Sequence, residues 1–166
     1  MKVSIVEFPQ TPVAMISHRG SSAGEHDSAM KLVQWKLQHK LLDQSRFRSY
    51  GLHHLPDQAA DKGAGKGTDN GADNGESRVD FCLSIEEAVA PNEWGIIESV
   101  IPACRCALAR DIGSRMDNQA VKSLLQNWLP QSGESLSGLP MIFHYVNVGP
   151  SVKAEDMITD VYLPLR

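Results

Sequence analysis

The residues best suited to chemistry lie in one short run, Phe143-His144-Tyr145, with Asn147 just beyond. The surrounding Met-Ile-Phe-His-Tyr-Val is rich in β-branched and aromatic residues and reads as a strand. Side chains alternate across a strand, so Phe143, Tyr145 and Asn147 are expected on one face and Ile142, His144 and Val146 on the other. Two rings on one face either line a site for an apolar or cationic ligand or fill a core. The histidines add little. His53 and His54 are adjacent and point apart, and His18 and His144 lack partners at ligand spacing, so no metal site is expected. Cys104 and Cys106 share a strand face and read as reduced, partly buried thiols. The run GAGKGT resembles a phosphate loop, but Lys66 is followed by Gly67 where Ser or Thr is required, and no strand feeds it. No Ser-His-Asp arrangement is evident. No catalytic residue and no cofactor is assigned.

The totals restrict the function further. A chain of 166 residues can bury one real core. A net charge of −4 argues against a domain whose main task is gripping nucleic-acid phosphates. No apolar run approaches the roughly 20 residues of a membrane span. The N-terminal Met-Lys-Val-Ser carries a charge at once and lacks an apolar signal core. Three cysteines are too few for a disulfide scaffold. Cytoplasm is the expected compartment, with no membrane partner.

Several elements must position the aromatic run. Val3–Phe8 and Val13–Ser17 read as strands. A helix is expected from Gly24 to Leu42, with Met30, Val33, Leu37 and Leu41 as its buried stripe and Trp35, bordering it, in the core. Strands follow at Arg46–His54, with Gly51 inside, and at Arg78–Ile85. Between them, residues 57–77 are dominated by Gly, Asp, Asn, Ala and Lys and read as a flexible excursion. Trp94 sits in a loop, as a lid or simply packed. Ile96–Ile101 and Arg105–Ala109 read as strands. A second helix is expected over Asp117–Trp128, with Asp117 as N-cap, Val121, Leu124, Leu125 and Trp128 as its apolar face and Pro130 as its stop. The strands Phe143–Val148 and Ile158–Leu165 complete the chain.

Shifting the chain by 93 residues superposes Pro9 on Pro102, Gly20 on Gly113 and Trp35 on Trp128. Beyond the helices the shift is 80, which superposes Asp80 on Asp160. The chain is therefore expected to be an α+β single domain built from a duplicated strand-helix-strand-strand module. Module one spans about 1–87, including the excursion, and module two about 95–166. Pairing the modules about a pseudo-twofold axis would hide open sheet edges and leave a cleft between the modules. The 93-residue shift also superposes Tyr50 on Phe143. On their residues alone Phe143 and Tyr145 read as core.

The chain resembles the GyrI-like small-molecule-binding domain, which also serves as the effector-binding domain of AraC- and MerR-type multidrug regulators. The residues carrying the resemblance are Val13-Ala14 leading to His18-Arg19-Gly20, the Trp35 helix, Arg78-Val79-Asp80-Phe81, Ile101-Pro102 leading to Ala107, Trp128–Gly133, Pro140, Tyr145 and Asp160–Pro164. The resemblance implies an antiparallel sheet with two main helices and a cleft that holds bulky, often cationic aromatic compounds. It implies that Phe143 and Tyr145 line the cleft, with Tyr50 and, from the last strand, Tyr162 as the further expected ligand-binding residues. It also implies DNA gyrase or a transcription regulator as a protein partner. Some relatives are proposed hydrolases of strained electrophiles. Where the family usually has a glutamate two residues before the strand tyrosine, this chain has Phe143, which cannot move a proton. The expectation is thus a stand-alone, monomeric protein that binds a bulky hydrophobic or aromatic small molecule, by sequestration or sensing, with no direct nucleic-acid binding.

Overall fold

The computed structural model describes residues 1–54, 76–115 and 117–166. Most of the Gly/Asp-rich stretch 57–77, with its GAGKGT run, lies outside the described residues. The strands are β1 (Ser4–Phe8), β2 (Thr11–Ser21), β3 (Ser49–His53), β4 (Glu76–Ser84), β5 (Ile97–Ile101), β6 (Cys104–Ile112), β7 (Met141–Tyr145) and β8 (Ile158–Pro164). They form one antiparallel sheet in the order β1-β6-β8-β7-β3-β4-β2-β5. The order is that of two equivalent halves joined where β7 pairs with β3, so the expected α+β duplication about a pseudo-twofold axis is observed.

Each half takes its outer strand from the other half of the chain. β1 pairs with β6, from Ser4 opposite Leu108 to Phe8 opposite Cys104. β5 pairs with β2, from Thr11 opposite Ile101 to Met15 opposite Ile97. This exchange ties the halves together beyond the central β3–β7 pairing. Phe8, near one edge of the sheet, shares a buried cluster with Val13 and Ile101 from the other edge and with Tyr50, Cys82, Cys106 and Ile142. The sheet is therefore curled around that cluster.

The opposite face of the sheet carries the helices. Helix α1 (Glu25–Gln38) packs Leu32 and Trp35 onto Ala14, Ile16 and Leu83. The second helical stretch runs through α2 (Gln119–Lys122), a π-helical segment (Ser123–Trp128) and α3 (Leu129–Ser132). It packs Ala120 and Leu124 onto Ala107, Ala109, Val161 and Leu163.

Several expectations about the helices are corrected. Met30, Val33 and Leu37 are exposed, at 38%, 37% and 55%, whereas Trp35 is buried as expected. Burying the large indole and Leu32 turns the helix so that the aliphatic stripe faces water. Trp128, expected in the core, is only half-buried. Pro130 does not stop the second stretch. The π-helical segment changes the hydrogen-bond register and leaves Pro130 in the first turn of α3, where no N–H is needed. The stretch ends at Gly133, whose φ of +78° makes a left-handed cap. Asp117 is not the N-cap. Asn118 holds that place at φ +52°, and Asp111 Oδ2 on β6 accepts the Ala120 N–H at 3.2 Å. Trp94 packs against the α1 cluster and donates to Gln34 Oε1 at 3.1 Å.

Candidate ligand cavity

On the helix-bearing face, a cavity of about 590 Å³ opens over the junction of β3 and β7. Glu25, His26 and Ala29 of α1 line one side, and Asn118 and Val121 line the other. The floor is His53 from β3, Phe143 and Tyr145 from β7, and Thr159 and Val161 from β8. Asp111 and Arg115 complete the wall. The volume falls within the several-hundred-Å³ range that holds drug-sized ligands.

The floor follows from strand register. Gly51 stands directly opposite Phe143 and Ser49 opposite Tyr145. A Cβ at Gly51 would lie 2.5 Å from Tyr145 Oη, so the absence of a side chain there is what lets the tyrosine lie across β3. Tyr145 Oη is hydrogen-bonded to His53 Nε2 at 3.1 Å. The His53 and Phe143 rings lie 4.1 Å apart, tilted by 34°. Burial pushes the His53 imidazole down to about 4, so it is neutral at pH 7. Burial holds the Tyr145 phenol well above its ordinary range.

Arg115 covers Tyr145 from above. Its guanidinium carbon lies 5.1 Å from the ring centroid. Nε donates to Thr159 Oγ1 at 2.8 Å, and Nη2 donates to the carbonyls of Asn147 and Ile158, each at 3.0 Å. Among the described residues no carboxylate pairs with Arg115, and burial lowers its pKa.

Phe143 and Tyr145 therefore line the cavity together, whereas Tyr50 and Tyr162 lie on the opposite face of the sheet. Tyr50 is buried, its ring edge-on to Phe8, and its hydroxyl accepts from Arg48 Nε at 2.7 Å. Tyr162 packs on the same Phe8 ring. The cause is a one-residue difference. The repeat offset in this strand is 92, so Phe143 corresponds to Gly51 rather than to Tyr50, and a shift of one residue exchanges the faces. Asn147 lies beyond the end of β7 and leaves the alternation. Its side chain bonds Asp156 O and the Ile158 N–H. His144 faces Tyr50, and Asp160 is held by Arg110 away from the cavity.

Sequence reasoning missed Gly51, His53, Glu25, Asp111 and Arg115 as cavity residues. One signal was present, since a glycine inside a strand marks close approach by a neighbour. The two carboxylates lie on elements remote from the aromatic run, and sequence order does not bring them there.

A GyrI-like small-molecule-binding domain model matches residues 1–166. The chain belongs to the GyrI-like family. The probable transcriptional regulator YgiV of Escherichia coli K12 is 31% identical over 99% of this chain and 96% of its own length. Among solved structures, EcmrR in a complex with DNA aligns with a TM-score of 0.69 and 17% identity, over 99% of this chain and 57% of that one. SAV2435 bound to tetraphenylphosphonium aligns with a TM-score of 0.55 and 8% identity, covering 100% and 94%. At these identities the structural matches establish a shared GyrI-like fold.

Proposed function

We propose that this GyrI-like domain binds bulky apolar or amphipathic aromatic compounds in the cavity between its helices, as a sensing or sequestering protein. The observation that carries the reading is the floor, where His53, Phe143 and Tyr145 present contiguous ring surface made possible by Gly51. Tetraphenylphosphonium on SAV2435 shows that the fold can hold a bulky aromatic ligand. Phe143 supplies apolar area without a fixed charge, so neutral ligands should bind at least as well as cations of the same shape. Fluorescence titration of wild type and Tyr145→Ala with a neutral naphthylamine dye tests this. Binding that weakens on truncation supports the reading, and no binding to wild type contradicts it.

A second reading, contact with a transcription regulator or with DNA gyrase, is favoured by the exposed Met30, Val33 and Leu37 on α1. Replacing all three by polar residues should abolish such a contact and leave dye binding unchanged.

A further inference from the structure

Arg115 is an arginine held in place by the fold. Three acceptors on the β7–β8 side fix it: Thr159 Oγ1, Asn147 O and Ile158 O. All three are neutral, so they orient the guanidinium without cancelling its charge. Its guanidinium carbon lies over Tyr145, the ring on which an organic cation entering the cavity would stack. An incoming cation would meet a partly buried like charge on the ring's occupied face, and the interaction is strong where water is excluded.

Glu25 reaches the floor and acts on both His53 and Tyr145, but at Tyr145 the Arg115 guanidinium acts the more strongly. Asp111 accepts the Ala120 N–H at the start of the second helical stretch. Glu25 lies in the first turn of α1. Acidic groups in these places are stabilised by the positive ends of the helices. Neither forms an ion pair with Arg115. Nη1, meanwhile, has no hydrogen-bond acceptor among the described residues. A carboxylate or sulfonate could accept from it without disturbing the bonds that hold the side chain.

We infer that Arg115 sets the charge preference of this cavity, which takes aromatic ligands bearing an anionic group in preference to neutral or cationic ones. The inference rests on the cavity being the ligand site and names the chemical class that fits it. The aromatic body would lie on Phe143 and His53, with the anion at the guanidinium edge.

The test uses three dyes on one scaffold: N-phenyl-1-naphthylamine, its 8-sulfonate and a trimethylammonium derivative. Wild type should bind the sulfonate about tenfold or more tighter than the neutral dye, the scale of one charge-assisted hydrogen bond, and the cation most weakly. Arg115→Ala should remove the sulfonate preference and improve cation binding. Arg115→Lys keeps the charge but not the guanidinium, and should retain part of the preference. Should Arg115→Ala fail to fold, the wild-type ranking still decides. So does the Arg115 Nε–H resonance in nitrogen-15 spectra, which should move with the sulfonate and not with the neutral dye. Equal binding of all three dyes, or preference for the cation, overturns the inference while leaving the cavity reading intact. Binding of none of them overturns both.

Discussion

Gly51 and Phe143 occupy equivalent places in the two halves of one sheet, directly across the strand pair that joins them. One has no side chain and the other has a ring. Their neighbours differ in the same way, since His53 on β3 matches Tyr145 on β7. The backbone is repeated and the cavity is not. Module two supplies rings that reach across the axis, and module one supplies the space they lie in, at 2.5 Å from a would-be Cβ on Gly51. A duplicated scaffold thus makes an asymmetric site by divergence at two or three floor positions. The helices diverge too. Trp35 is 4% exposed, and its counterpart Trp128 is half-buried at the end of a π-helical segment.

The tryptophans give the largest expected difference between modules. Trp35→Ala should destabilise the fold by about 3–5 kcal/mol, as truncation of a buried aromatic does. Trp128→Ala should be milder, because part of its ring already meets water. Chemical denaturation of both variants measures this, and equal losses would mean the modules share the load.

The next effect is pH-dependent and belongs to module one. Unfolded, His53 titrates near 6.5; folded, it titrates near 4 because it is buried. Between those values the unfolded chain binds the extra proton, so stability is full above about 6.5 and falls as pH drops toward 4. The loss is at most about 3 kcal/mol. Burial also lowers the pKa of His144, which acts in the same direction. His53→Gln should flatten the profile of melting temperature against pH between 7 and 4.5. An unchanged slope would assign the acid sensitivity elsewhere.

Smaller still is Gly51→Ala. The added Cβ drives Tyr145 off β3, at a cost of about 1–3 kcal/mol. Removing the hydroxyl should relieve much of the clash, so Gly51→Ala measured in a Tyr145→Phe background should cost less. Additive losses in this double-mutant cycle would show that the close approach is not what makes Gly51 necessary.

Much of this architecture was legible in the residues. Pro, Gly and Trp at a constant offset disclosed the duplication, and β-branched and aromatic runs disclosed most strands. The alternation Phe143-His144-Tyr145 placed the two cavity rings on one face. What failed was arithmetic at single-residue precision. The connection from helix to strand is one residue shorter in module two, which moved Tyr50 and the cavity to opposite faces. Trp35 was legible as core, but periodicity favoured Met30, Val33 and Leu37 over Leu32, because counting apolar residues ignores how the large indole turns the helix. Arg115 lies in a loop with no period to read, and its role depends on three acceptors from distant segments.

The central claim is that ligands bind on the helix-bearing face of the β3–β7 junction and not on its curled reverse. The most direct measurement is a nuclear magnetic resonance titration of selectively labelled Phe, Tyr and His side chains with N-phenyl-1-naphthylamine. The account predicts large shifts for His53, Phe143 and Tyr145, and little change for Tyr50, His144 and Tyr162. Shifts confined to Tyr50, His144 and Tyr162 would contradict it and move the site to the other side of the sheet.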